Sequence, residues 1–189
     1  NFKNFAAQKA RELAYAAGQI PILEADYARA QHMVKTGRAQ LALHEDAHDA
    51  FLEGKAEQTL IWKEKIDGVW VWCRIRADWL QRLGGWIEDY KTTQGAASPG
   101  AWGRYAFAEG LDLQDALYRR GYQAVFGVKP AGFRFIVQET DPPHALSVCA
   151  FDPAAGDMAM RKVENALSLW AWCTKNDKWQ GYAGRIHYM

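Results

Sequence analysis

Residues 58–77 read QTLIWKEKIDGVWVWCRIRA, and the reading of that stretch decides the fold. β-Branched and aromatic residues fill 58–66 and 69–77, and the Asp67-Gly68 pair between them is a strong two-residue hairpin signal. Gly84-Gly85 marks another short turn, and residues 86–91 follow as a third strand. Upstream, residues 2–52 read as helices. An Ala-rich one ends at Gly18, a second covers 24–34 and ends near Gly37, and a third covers 38–52. Downstream, 94–103 holds Gly, Ser and Pro and reads as a loop, 111–125 as a helix, 133–139 and 147–151 as strands. Residues 157–174 read as a closing helix with Val163, Ala166, Leu167 and Trp170 on one face. The order is helices, three strands, helix, two strands, helix. That predicts one α/β (α+β) domain over 1–189, with 1–52 as its helical N-terminal part and 53–189 as its core.

Length and composition agree with one domain. The chain has 189 residues, 49% hydrophobic and 24% charged, enough for one sizeable core and unlike a disordered chain. Lys plus Arg is 23 against 22 for Asp plus Glu, which excludes a polycationic tail but leaves room for a local basic groove. Three cysteines lie far apart with no CxxC, so a closed disulfide set, a zinc ribbon and an iron–sulfur cluster are not expected. No apolar run approaches the ~18–20 residues that span a bilayer, and no secretory signal pattern is present, so a cytoplasmic setting and no membrane partner are expected. The first residue is Asn1 rather than Met, and a native N-terminal piece is expected before it. Nine Trp, eight Tyr and eight Phe are the unusual feature: they serve a core, stack on bases or bind carbohydrate.

The chemistry concentrates around the third strand. Asp78 ends the second strand candidate and Asp89 lies on the third, so antiparallel neighbours bring both carboxylates to one end of the sheet. Lys91 lies two residues beyond Asp89, on the same face by strand periodicity. Two carboxylates and an ammonium suit a hard divalent cation working on a phosphate, although a lone D-x-K is also an ordinary solvated turn. Glu57, one strand upstream, offers a third carboxylate. Gln114 and Tyr118 stand at i and i+4, on one face of the next helix. Arg74 and Arg76 alternate on the second strand and by parity share a face with Asp78, where they reach phosphates or balance the acids. Arg104, Arg119, Arg120, Lys129 and Arg134 make the middle of the chain its more basic part. Arg119 and Arg120 read equally as a solvated helix face.

The ordered series Glu57, Asp78, Asp89-x-Lys91, Gln114-x-x-x-Tyr118 resembles the PD-(D/E)XK nuclease superfamily, and within it the RecE-type (exonuclease VIII-like) domain of phages and prophages. The matching segments are GKAEQTLIW, RIRADWL, IEDYKTT, GLDLQDALYRRGY and FRFIVQETDPP, and the likeness runs from about Arg38 to the closing helix. The resemblance implies a restriction-endonuclease-like core with a central mixed β-sheet flanked by helices. It implies Mg²⁺ or Mn²⁺, one or two ions per site, held by Asp78, Asp89, the Tyr90 backbone carbonyl and Glu57. Lys91 would activate water and stabilise the transition state, while Gln114 and Tyr118 orient the water and the scissile phosphate. The implied activity is exonucleolytic hydrolysis of duplex DNA ends, 5′ to 3′, in phage-type recombination. DNA contacts would fall to Arg74, Arg76, Arg104, Arg119 and Arg120. A homo-oligomer, in ring form in relatives, and a single-strand annealing protein are the implied partners. Relatives also carry a metal-binding His ahead of the first acid. His32, His44 and His48 are available but do not match its segment, and the N-terminal piece expected before Asn1 is a candidate place for it.

Two other readings compete: a catalytically weak nucleic-acid-binding phage protein that kept the fold, and an endonuclease of the same superfamily. On the motif reading most aromatics become core packing. Trp70, Trp72, Trp62, Trp79 and Trp86 fall on or beside the sheet, and Trp170, Trp172 and Trp179 pack at the closing helix. Base stacking is then no longer the first explanation for them.

Overall fold

The computed structural model describes residues 4–181. Helices α1 (Phe5–Ala16) and α2 (Glu24–Ala42) precede strands β1 (Gly54–Ile66), β2 (Val69–Gln81) and β3 (Trp86–Thr93). Helices α3 (Pro99–Ala108) and α4 (Leu111–Phe126), strands β4 (Gly132–Glu139) and β5 (Leu146–Cys149), and helix α5 (Pro153–Asn176) complete the chain. The five strands form one sheet in sequence order, antiparallel except for the parallel pair β3 and β4. The α+β class and the mixed sheet therefore hold.

The hairpin forms as its sequence predicts. Asp67 and Gly68 both take positive φ, the conformation that matches the twist of two antiparallel strands. Along β2 Val71, Cys73, Ile75 and Ala77 are buried while Trp70, Trp72, Arg74 and Arg76 are exposed. The buried set joins Leu60, Trp62, Ile87, Phe133 and Phe135 in the main core beneath α4 and α5. A smaller cluster of Leu41, Ala47, Ala50 and Ile136 seats the end of α2 and the turns after it on the opposite face. None of the described helices is long and apolar enough to cross a membrane.

Several boundaries differ from the sequence reading, four of them instructively. Gly37 does not end a helix: α2 runs through it, and a Cβ there would come 2.9 Å from Gln138 Oε1. Glycine leaves room there for the end of the Gln138 side chain, while its helix-breaking tendency costs only about 1 kcal/mol. The helix expected over 38–52 stops at Ala42, and residues 45–51 form turns, as a run of Asp and His among short residues permits. The loop expected over 94–103 gives way to α3, because Pro99 is tolerated in a first helical turn, where its missing N–H has no partner to lose. Strand β2 continues past Ala77 to Gln81, so Asp78 lies inside the strand.

Candidate active site

Strands β2 and β3 pair only at Trp79 with Glu88 and Leu80 with Ile87. One step further the ladder ends, and Asp78 and Asp89 stand where the strands part. The Tyr90 amide, next along β3, donates to Asp78 Oδ2 at 3.0 Å. Asp89 is buried, its Oδ1 accepting from Gln114 Nε2 at 2.5 Å. Its Oδ2 is in direct contact with the Lys91 ammonium as an ion pair. Tyr118, one helical turn after Gln114, donates its hydroxyl to the Arg76 carbonyl at 2.8 Å, which fastens α4 to β2 beside the acids. The structure thus gathers Asp78, Asp89, Lys91, Gln114 and Tyr118 into one site.

The electrostatics follow from burial. Desolvation pushes the Asp89 carboxyl above the usual range and the Asp78 charge adds to it, while Lys91 and Gln114 pull it back. Burial likewise raises the Tyr118 phenol, helped by the Asp89 charge. These residues fit a hard divalent cation. The Asp78 and Asp89 charges act on one another beside a single ammonium, an excess of negative charge, and Mg²⁺ is commonly held by one or two carboxylates and completed by water and phosphate oxygens. Among the described residues no group of three or more His, Cys, Asp or Glu converges as a metal site.

Glu57 is the residue that this arrangement leaves aside. Its carboxylate is exposed and paired with Arg76, Oε2 to Nε 2.8 Å. Its backbone takes φ 55° between the pairs Ala56 with Trp79 and Gln58 with Ala77, an uncommon conformation for a residue with a side chain. The period also fails at Asp78: Ala77 and Leu80 are both buried, with Asp78 and Trp79 half-buried between them. Asp78 is therefore not placed by parity with Arg74 and Arg76, as alternation predicts.

The other cations divide into two groups. Arg74, Arg76 and Arg104 are exposed. Arg119 is given to Asp115 at 2.5 Å, Arg120 to Glu64, and Arg134, expected in a basic middle, is buried against Glu88 and Asp49. Sequence reasoning missed this last group. Buried Glu88 takes the Phe51 amide at 2.5 Å and Gln81 Nε2 at 2.9 Å besides Arg134, on the side of β3 opposite Asp89. Beside it Tyr90 donates its hydroxyl to Gln138, which in turn donates to the Met33 carbonyl. The only signal in the sequence was an acid adjacent to Asp89 in a strand otherwise fit for burial. Among the described residues the histidines stand elsewhere. The His32 ring packs on the buried His144, while His44 and His48 bond within their own turn.

The aromatics correct the packing expectation. Trp62 and Trp102 are buried, and Trp79 and Trp86 half-buried, but Trp70, Trp72, Trp170, Trp172 and Trp179 are exposed, with Trp170 and Trp179 packed edge to face on each other, ring centres 5.0 Å apart.

The fold has a crystallographic counterpart in a candidate exonuclease from Eubacterium rectale, with a TM-score of 0.58 and 14% identity over 93% of this chain. This chain spans 62% of that protein's length. A second crystal structure, of SSO0001, aligns over 66% of this chain and 55% of its own at 15% identity, with a TM-score of only 0.38. No curated protein matches the sequence. The family model described as a PDDEXK-like domain of unknown function (DUF3799) matches residues 2–189, and the chain belongs to that family.

Proposed function

We propose that the protein is a metal-dependent DNA exonuclease that hydrolyses phosphodiester bonds from duplex ends. The observation that carries this reading is the meeting of Asp78 with buried Asp89, itself contacted by Lys91 and Gln114, at the divergence of β2 and β3 in a PDDEXK-like domain. Asp78 and Asp89 would hold Mg²⁺ or Mn²⁺, with the Tyr90 carbonyl and, through water, Glu57 as further oxygens. A divalent ion bound there supplies the positive charge that an anionic phosphate under attack requires.

The chain's own groups do the rest. Lys91 brings an ammonium to the site, where it stabilises the charge that builds on the phosphate oxygens. Gln114 fixes the orientation of Asp89, and Tyr118 sets the distance of α4 from β2. Water adds to phosphorus, the bond to the leaving oxygen breaks, and that oxygen is released protonated. Exposed Arg74, Arg76 and Arg104 are the candidate phosphate contacts, whereas Arg119 and Arg120 have their charge met by carboxylates and support the helix packing. Digestion from 5′ to 3′, assembly into a ring, service in phage-type recombination and pairing with a single-strand annealing protein follow from the family resemblance.

The test uses linear and closed circular duplexes with Mg²⁺ or EDTA, on wild type and Asp89→Asn. Metal-dependent loss of linear DNA alone, abolished in Asp89→Asn, is the expected outcome. Nicked circles would indicate an endonuclease, and no metal-dependent loss a binding protein. Cutting by Asp89→Asn at the wild-type rate would overturn the site.

A further inference from the structure

The open face of the β1–β2 hairpin is unlike the rest of the surface. Cross-strand partners share a face, and the pairs Lys65 with Trp70, Lys63 with Trp72, Ile61 with Arg74 and Thr59 with Arg76 are exposed throughout. Trp70 and Trp72 are 58% and 70% exposed. The Lys63 ammonium lies 4.9 Å from one ring centre and 5.7 Å from the other. Four cations occupy this strip, and the acid at its end, Glu57, meets only Arg76. Neighbouring aromatics left in water among mostly unopposed cations are the chemistry of a surface that tracks a phosphate backbone and stacks bases.

The strip ends beside the active site, on the face of β2 turned away from α4: the backbone carbonyl of Arg76, its last cation, accepts the Tyr118 hydroxyl. Along 69–77 strand β2 has a strand neighbour on one side only, and beside Trp72 and Arg74 that free edge opens a cavity of about 370 Å³. Leu113 and Leu117, each one residue before Gln114 or Tyr118, close it together with Leu167 and Trp170. The lining is apolar and the volume accommodates a nucleobase.

We propose that this hairpin face binds unpaired nucleotides of the DNA substrate, with Trp70 and Trp72 as the stacking platform and Lys63, Lys65 and Arg74 as the phosphate track. Stacking needs an exposed base face, which a continuous duplex does not offer, so the ligand is a single strand adjoining the duplex end. The inference rests on the nuclease reading for its substrate but is tested without catalysis.

Fluorescence anisotropy in EDTA measures binding of a labelled oligo(dT) of about 12 nucleotides, an abasic strand of equal length and a blunt duplex. Wild type is expected to favour oligo(dT) over both. Trp70→Ala with Trp72→Ala should lose at least about tenfold on oligo(dT) with little change on the abasic strand, and Trp70→Phe with Trp72→Phe should retain most of the affinity. The inference is overturned by equal oligo(dT) binding in wild type and the Ala variant, by equal wild-type binding of the abasic strand, or by no binding at all. A fall in oligomer mass by light scattering in the Ala variant, with DNA affinity unchanged, also overturns it and makes the face a contact between copies. Metal-dependent digestion with failed anisotropy sinks only the hairpin assignment. Anisotropy as expected without digestion sinks only the nuclease reading.

Discussion

Asp89 is acted on from several sides at once. Burial and the Asp78 charge favour its proton, while Lys91 and Gln114 favour the carboxylate. A metal must displace that proton, so its binding weakens as pH falls through a pKa set above the ordinary aspartate range. Mn²⁺ is therefore expected to raise the Tm of wild type at pH 8 and by less as the pH is lowered step by step, with no metal-dependent shift in Asp89→Asn at any pH. A pH-independent shift, or one retained in Asp89→Asn, would place the metal elsewhere. At this scale the sequence was informative: D-x-K and Q-x-x-x-Y named side chains that the structure brings together. Glu57 was legible as an acid of the right strand, yet its pairing with Arg76 depends on a positive φ that no residue type announces.

Among elements, α4 is the piece that holds the site in register with the hairpin. Besides Gln114 and Tyr118 it carries Arg120, whose guanidinium reaches Glu64 on β1 with Nε–O distances of 2.9 and 3.0 Å. Arg120, with the Trp62 indole N–H, holds the Glu64 carboxyl below the usual range, against the pull of burial. A carboxyl whose pKa is lower in the folded chain stabilises it above the unfolded value, and that contribution is lost as pH falls through the folded one. Arg120→Met should cost about 1.5–3 kcal/mol in urea unfolding near neutral pH. The difference should shrink below about pH 4.3, where Glu64 protonates in the unfolded chain, and continue to shrink through the folded value. A difference constant with pH would show that packing alone carries the effect. Hairpin and helix periodicity made most elements legible. The misread boundaries at Gly37 and Pro99 involve residues whose role depends on what lies beside them: Gln138 against the first, a free N-terminal turn at the second.

Across the whole molecule the balanced charge conceals separation. Acids and bases meet within the fold at Glu88 with Arg134 and Glu64 with Arg120, and buried Asp112 takes exposed Lys162, while Lys63, Lys65 and Arg74 remain on one open face. Single-strand binding by that face should weaken linearly in log affinity against log salt. Arg74→Gln should reduce the slope by roughly 0.7, the share of one phosphate contact. An unchanged slope in the variant would remove Arg74 from the track.

The sequence by itself determined the class of fold, the hairpin and the identity of the acids and lysine, because strand period, turn chemistry and motif spacing are local properties of the chain. Only the tertiary structure decided which charges are spent. Whether Arg134 faces DNA or Glu88, whether Glu57 joins Asp78 or Arg76, and whether a tryptophan is core or surface depend on partners far away in the sequence. Burial fixes those outcomes, since a charge taken from water must find its counter-charge, while an indole left in water does not carry that penalty.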